Sequence, residues 1–200
     1  MKYIFAIVML SAVSAFAKLK TEVVQFKEGE SLLEGYLVYD TAKVGGKKLA
    51  PGVVIVHDWM GVGDYVKMRA EQMAALGYVA FVADIYGKGV HPKDTNEAGA
   101  LAGKFKGGER KDMRLRATAA YNELAKSKFV DQKKISAMGY CFGGTVALEM
   151  ARIGLPLSGV VSFHGGLSSV KADDAKNIKT KLLVLHGAID PYVQIGRAHV

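Results

Sequence analysis

The 200-residue sequence predicts one domain of the α/β class, with a mostly parallel central sheet and helices on both faces. Short apolar segments rich in β-branched residues alternate with amphipathic helical patterns, and this alternation is typical of a parallel sheet. The length suits a single domain with a sizeable core. A hydrophobic content of 50% and a charged content of 23% exclude an intrinsically disordered chain.

The charge and cysteine content exclude several classes of protein. The formal net charge is +8, but the lysines are scattered and do not alternate with aromatic residues, so we predict no nucleic-acid partner. The apolar runs are too short for an ordinary membrane span. The single cysteine forbids an internal disulfide framework. Phosphate-binding loops, dinucleotide fingerprints and metal-ligand motifs are absent, so we predict no cofactor and no metal.

The N-terminus has the pattern of a targeting segment. Residues 1–17 combine a basic start, a short apolar stretch and small residues at Ala15 and Ala17, which together predict a secretory signal peptide. We expect a mature chain that begins at Lys18, is periplasmic or secreted, and has no membrane segment after cleavage. The alternative is a buried N-terminal helix.

The C-terminus has a different origin in our interpretation. Residues 195–200 continue no earlier pattern, and they can be encoded by the core of a widely used DNA-sequencing adapter. We therefore expect a foreign tail there, with a genuine loop as the alternative. The domain itself is then expected to span residues 18–194.

The first half of the domain is predicted to begin with a hairpin. Residues 21–26 and 32–39 have strand composition, and the polar turn between them predicts an antiparallel pair. The continuous β-branched run at 53–56 is typical of a strand that is covered on both faces. Residues 65–76 predict a helix that ends before Gly77. A buried strand at 78–83 and a loop rich in glycine and proline at 84–94 follow.

The second half continues the alternation of helices and strands. After Gly107 and Gly108, apolar residues again recur at helical spacing. The predicted helices are 96–105, 109–126 and 142–153, and the predicted strands are 134–140, 157–163 and 181–186.

Residues 139–143 carry the strongest chemical motif. They read G-Y-C-F-G, the glycine–x–nucleophile–x–glycine form, and the preceding strand and following helix are the context that this motif requires. The sharp turn exposes the sulfur of Cys141 at a helix N-terminus, which favours the thiolate. The backbone N–H of Phe142 points to where an oxyanion would form. We predict that Cys141 is a nucleophile; the alternative is a small buried cysteine in a glycine-rich turn.

A second motif, H-D-W-M-G, follows the predicted strand at 53–56. In an α/β-hydrolase architecture this loop supplies the second oxyanion donor, and we assign that role to the N–H of Trp59. Asp58 is predicted to face the thiol and to tune or hold it. The alternatives are a core aromatic residue at Trp59 and a helix-capping residue at Asp58.

A third motif follows the last predicted strand. Residues 185–193 read L-H-G-A-I-D-P-Y-V, and they place Asp190 at the carboxyl edge of the sheet, where ligands gather in parallel folds. The chain order of nucleophile, acid and histidine makes Asp190 the candidate acid. The alternative is an Asx-Pro turn.

Together, the cysteine elbow, the H-D-W-M-G loop and the H-G-x-x-D-P-x-V segment resemble the dienelactone hydrolase family over about residues 21–193. The resemblance implies an α/β-hydrolase fold and a Cys-His-Asp triad that opens lactones or cleaves small esters. It matches Cys141 and Asp190 to the nucleophile and acid, Phe142 and Trp59 to the oxyanion donors, and Asp58 to a position that is usually acidic. Residues 94–106 show no match to the basic residue and tyrosine that bind a substrate carboxylate in some members.

The resemblance places the catalytic histidine after Asp190, beyond another helix and strand, yet only ten residues follow. We therefore expect the chain to lack its base, together with the last strand and helices. The one later histidine, His199, lies in the expected foreign tail. His57 and His164, which end strands, are weaker candidates for the base. His186 is predicted to be packed and His91 to be solvated.

Two other classes of function remain open. A non-catalytic binding module, or a truncated fragment that is inactive or does not fold, would not turn over substrate. A thiol redox protein would use Cys141, although the sequence offers no resolving cysteine. The sequence predicts no particular oligomeric state and no partner beyond a small ester or lactone.

Overall fold

The computed structural model describes residues 18–45, 49–191 and 193. The expected signal peptide at 1–17 and the expected foreign tail at 195–200 lie outside these residues. The seven described strands are β1 (Leu19–Glu28), β2 (Ser31–Asp40), β3 (Ala50–Val56), β4 (Val79–Ala83), β5 (Val130–Tyr140), β6 (Gly159–Phe163) and β7 (Lys181–Leu185). The four described α-helices are α1 (Asp64–Ala75), α2 (Thr95–Lys106), α3 (Lys111–Ala125) and α4 (Phe142–Arg152), and 3₁₀ turns lie at Gly108–Arg110 and Ala172–Asn177.

The strands form one mostly parallel sheet in the order β1-β2-β4-β3-β5-β6-β7. β1 pairs antiparallel with β2 and β2 with β4, and the other neighbouring pairs are parallel. The predicted fold class and the predicted N-terminal hairpin are confirmed. The chain passes from β3 outward to β4 and then returns to the other side of β3 as β5. Such a reversal opens a crevice at the carboxyl ends of the strands, here of β3 and β5.

Helices cover both faces of β3, which explains its continuous apolar run. Val54 and Val56 belong to a core cluster that includes buried residues of α2, α3 and α4. Val53 and Ile55 point the other way, into a cluster with the buried residues of α1. Side chains alternate across a strand, so a strand covered on both faces needs apolar residues at every position.

β5 begins earlier than the sequence predicts. The strand starts at Val130, not at Lys134, and its pairing with β3 shifts register between Pro51 and Gly52. The polar residues 132–134 lie within this irregularity and are exposed. Residues in a bulge need not alternate between apolar and polar, and for this reason the hydrophobic pattern placed the start of β5 too late.

β7 is the last strand of the described sheet and pairs only with β6. All five of its residues are exposed, and Leu183 has 52% of its surface accessible to solvent. A groove of about 330 Å³ runs beside it, lined by apolar residues such as Met138, Val160 and Leu182. Within the described ranges, no helix is long and apolar enough to cross a membrane.

Candidate functional site

The nucleophile elbow predicted at residues 139–143 is present between β5 and α4. Cys141 has φ of 53° and ψ of −111°, a conformation that L-residues rarely adopt. Its N–H donates to the carbonyl of Phe163 at 2.8 Å, and its carbonyl accepts from Gly144 at 3.0 Å. These two hydrogen bonds hold the strained residue between the end of β6 and the first turn of α4, as expected for strain stored at a functional site.

The glycines on each side of Cys141 allow the backbone segments to approach one another. A Cβ added at Gly139 would lie within 3.0 Å of the backbone of Gly143, and one added at Gly143 would lie within 3.0 Å of the carbonyl oxygens of Val56 and His57. The N-terminus of α4 therefore packs against the end of β3. This contact brings the cysteine elbow beside the H-D-W-M-G loop.

The thiol of Cys141 is partly buried, and its protonation differs from the expectation. Burial raises the pKa of this thiol above its ordinary value, although the backbone N–H of Phe142 and the charge of Lys106 act in the opposite direction. The negative charges of Asp58 and Asp190 raise the pKa further. The helix N-terminus does favour the thiolate, but desolvation outweighs it. The thiol is therefore mainly protonated at neutral pH, and its attack requires a base.

This protonation state predicts a slow and pH-dependent alkylation of Cys141. We expect iodoacetamide to label the folded chain with an inflection at higher pH than the same chain unfolded in urea, because unfolding removes the desolvation. Mass spectrometry of labelled peptides against pH measures both inflections. A folded-state inflection at or below that of the unfolded chain would contradict the assigned cause.

The two predicted oxyanion donors lie at this edge, Trp59 in the loop after β3 and Phe142 at the first residue of α4. Trp59 lies in the turn after β3, and its carbonyl accepts from the hydroxyl of Tyr86 at 3.0 Å. Among the described residues, none accepts a hydrogen bond from the backbone N–H of Trp59. Phe142 directs its N–H toward the sulfur of Cys141. The indole of Trp59 is half-buried against the core, so its side chain also fits the alternative of a core aromatic residue.

Asp58 faces the site and does not cap α1. The helix begins at Asp64 after Gly63, with no side-chain cap. Asp58 instead accepts from the N–H of Met60 at 2.8 Å, and its charge contributes to raising the pKa of the Cys141 thiol. The helix-cap alternative is therefore wrong, whereas the expected proximity to the thiol is observed.

Tyr86 belongs to this edge, although the sequence analysis did not select it. Its ring is buried against Phe142, with centroids 5.1 Å apart, and its hydroxyl fixes the Trp59 turn. Burial, followed by the charges of Asp58 and Cys141, raises the pKa of Tyr86 well above its ordinary value. The signal was weak, since Tyr86 lies in a glycine-punctuated loop without a motif of its own.

His57 is not placed to act as the base. It is fully buried, its Nε2 accepts from the N–H of Ile85 at 3.2 Å, and its Nδ1 lies 2.6 Å from the carbonyl of Asp58. Because Nε2 accepts, Nδ1 carries the proton and donates. Burial lowers the pKa of His57, so the ring stays neutral with both nitrogens engaged. This histidine supports the loop.

Asp190 lies just after β7 and contacts a histidine, as a triad acid does. One carboxylate oxygen accepts from the N–H of Val193 at 2.9 Å, so the Asx-turn alternative is realised as well. The other oxygen contacts Nδ1 of His164 and lies 3.5 Å from Nε2 of His186. The side chain of His186 is buried, as predicted, and His91 is exposed.

A buried ion cluster anchors α4 from its far end, and the sequence analysis missed it. Glu149 is fully buried and bonds the guanidinium groups of Arg110, Arg114 and Arg152. Burial acts to raise the pKa of Glu149, but the three arginines hold it below its ordinary value. Glu149 was detectable as the one acidic residue in the mostly apolar helix α4. A charge so buried requires partners, although the sequence does not show which.

A mostly parallel sheet with a strained cysteine elbow after β5 defines a protein of the α/β-hydrolase fold. The model of the dienelactone hydrolase family matches residues 34–199, and the chain belongs to this family. It is 36% identical to a dienelactone hydrolase-like promiscuous phosphotriesterase from metagenomic libraries, with a TM-score of 0.83, covering 90% of this chain and 73% of that one.

Curated relatives agree with this membership. Protein usf of Aquifex pyrophilus is 27% identical over 176 residues, which cover 86% of this chain and 73% of that protein. A carboxymethylenebutenolidase of Pseudomonas sp. (strain P51) is 28% identical over 150 residues, or 72% of this chain and 61% of that protein. The chain is therefore similar to hydrolases along most of its length.

Proposed function

We propose that this protein opens a lactone or cleaves a small carboxylic ester, with Cys141 as the nucleophile. The observation that carries this proposal is the strained elbow, which presents a partly buried sulfur between the Trp59 loop and the end of β6. A backbone held at φ of 53° is energetically costly, and strain of this kind clusters at functional sites. Membership of a hydrolase family supports the same reaction class.

The residues of the site suggest how the reaction proceeds. A base removes the thiol proton of Cys141, and the sulfur attacks the carbonyl carbon of the ester. The N–H groups of Phe142 and Trp59 stabilise the negative oxygen of the tetrahedral intermediate. The C–O bond then breaks, the leaving oxygen takes the proton from the base, and a thioester remains. Water, activated by the same base, cleaves the thioester to release the acid and restore the thiol.

In this proposal Asp190 orients the base and stabilises its charged form, as the acid of a triad does. The resemblance places the base later in the chain than Asp190, where the structure describes only Pro191 and Val193. We infer that the base comes from chain outside the described residues. The exposed side chains of β7 support this inference, since they leave room for further structure at that edge.

Two alternatives make different predictions for the thiol. A non-catalytic or inactive fragment would not form a covalent adduct with an ester, even though it folds. A redox protein would form a mixed disulfide by exchange with a small disulfide and release one small thiol, whereas a hydrolase needs only the carbonyl substrate. We also propose that the chain is exported and begins at Lys18 after cleavage, on the pattern of residues 1–17.

Trapping the acyl-enzyme tests the nucleophile directly. We expect p-nitrophenyl acetate to add one acetyl group to the protein at mildly alkaline pH, on the peptide that contains Cys141. Rapid acid quenching should trap this thioester, because its hydrolysis is a separate step that follows acylation. Intact-mass and peptide mass spectrometry measure the adduct. When the protein is produced in an exporting host, its intact mass also reports whether Lys18 is the first residue.

The outcome separates the candidates. An acetyl group found on a lysine or histidine but not on Cys141 would overturn the nucleophile assignment. A mass that retains residues 1–17 after export would overturn the proposed cleavage site without affecting the nucleophile.

A further inference from the structure

Two histidines and one carboxylate meet at the carboxyl ends of β6 and β7. His164 follows β6, His186 follows β7, and Asp190 lies four residues farther along the chain. One ligand atom from each residue can be chosen so that all three atoms lie within 4.8 Å of one another. We propose that these three side chains form a binding site for a divalent transition metal ion of the zinc class.

The spacing of the ligand atoms suits a tetrahedral ion. Zinc bonds of about 2.0–2.1 Å to nitrogen and oxygen place neighbouring ligand atoms about 3.3 Å apart. Nε2 of His186 lies 3.5 Å from the carboxylate oxygen of Asp190, which is close to this value. Nδ1 of His164 contacts the same oxygen, so a small rotation of the partly exposed imidazole admits the ion between them.

The burial of the three side chains gives the site a fixed floor and an open entrance. The side chains of His186 and Asp190 are 1% and 4% exposed, whereas that of His164 is 40% exposed. The backbone also fixes His164, whose φ is 57° and whose N–H donates to the carbonyl of Leu185 at 2.9 Å. Two ligands are therefore held by packing, and the third borders solvent, from which an ion can enter and a water can complete its coordination.

Metal binding requires one proton to move. Nε2 of His186 lies 2.6 Å from the carbonyl of Val193 and donates to it when it carries the proton. To bind the ion, Nε2 must present its lone pair, so the proton moves to Nδ1, which has no hydrogen-bond partner among the described residues. No electron transfer or bond cleavage is involved. The metal must displace the existing hydrogen bond from His186 to Val193, and this cost lowers its affinity for the site.

The donor set selects the kind of ion. Two neutral imidazoles and one carboxylate favour zinc, nickel or copper, whereas calcium and magnesium prefer oxygen ligands. No metal site was predicted from the sequence, because His164 and His186 follow different strands and fit no spacing motif. Pairing of β6 with β7 brings the two rings together, with centroids 5.9 Å apart.

Zinc titration tests the site without relying on catalysis. The protein should carry no histidine tag and should contain Cys141→Ala, so that the thiol cannot bind the metal. We expect calorimetry to show one Zn²⁺ per chain at pH 7.5, and Co²⁺ bound in its place to give a visible absorption band. His164→Asn should weaken binding by about tenfold or more, since even residues that only support a ligand contribute 10–100-fold. The exposed loop variant His91→Asn is the matched control and should leave the affinity unchanged.

Every outcome decides the proposal. Equal affinity in His164→Asn and in the parent would overturn it, as would the absence of a stoichiometric site. His186→Asn and Asp190→Asn should each abolish binding. Asp190→Asn replaces the carboxylate with an amide of the same shape, so it remains a test if His186→Asn fails to fold. The result does not depend on the proposed function, because the assay uses a chain without the nucleophile; if Asp190 is also the triad acid, Zn²⁺ will in addition inhibit the parent.

Discussion

Replacing Cys141 with alanine is expected to lower kcat/KM for an activated ester or a dienelactone by about a thousandfold or more, the scale seen when a catalytic nucleophile is removed. The substitution removes the only atom at the elbow that can form the thioester. The proposed oxyanion donors are backbone N–H groups of Phe142 and Trp59, so they survive the change. Initial rates over a range of substrate concentrations measure the effect.

The control for this variant is its fold. Alanine at position 141 keeps the Cβ and the backbone hydrogen bonds to Phe163 and Gly144, so we expect a melting temperature close to that of the parent. Turnover retained at the parental rate in a well-folded variant would contradict the nucleophile assignment. It would also return the thiol to the class of small buried cysteines.

The parts of the fold that the sequence predicted are those with local signals. β3 is recognisable because both of its faces are buried, so every residue from Val53 to Val56 is apolar. The elbow is recognisable because the close approach of backbone segments around Cys141 leaves room only for glycine at 139 and 143. In both cases the physical constraint acts on residues that are adjacent in the chain. A single sequence therefore records it.

The parts that the sequence did not predict depend on contacts between distant residues. Glu149 bonds Arg110 and Arg114, which lie on the other side of β5 in chain order, and no spacing connects them. His164 reaches Asp190 only because β6 and β7 pair. Each partner alone resembles an ordinary surface or core residue, and the folded chain is needed to show the pair.

The protonation of the thiol illustrates the same limit in energetic terms. A cysteine at a helix N-terminus predicts a lowered pKa, and the N–H of Phe142 does act in that direction. The desolvation that reverses the sign comes from tertiary burial of the elbow. Tyr86, which packs against the neighbouring Phe142, lies more than 50 residues earlier in the chain. The motif indicates the candidate nucleophilic atom, whereas the charge of that atom at neutral pH depends on tertiary burial.

Replacing Gly143 with alanine is expected to impair stability and activity together. The added Cβ would lie within 3.0 Å of the carbonyl oxygens of Val56 and His57, and backbone atoms of a central strand cannot move aside as a flexible side chain does. Overpacking in a core typically costs about 1–3 kcal/mol, and we expect the upper end here or more. Urea denaturation measures the free energy of unfolding, with an unchanged m-value as the check that the two states are comparable. The rate of ester hydrolysis reports whether the elbow is displaced.

Gly103→Ala is the matched control for this substitution. Gly103 lies within α2, is exposed, and would place its Cβ in open space. Alanine should stabilise that helix by about 0.5–1 kcal/mol, because it restricts the unfolded chain without a clash. If Gly143→Ala were as stable and as active as Gly103→Ala, the contact between α4 and the end of β3 would not be tight, and the elbow would not depend on it. A stable Gly143→Ala variant with reduced turnover would instead show that the close contact serves the position of Cys141 more than the stability of the fold.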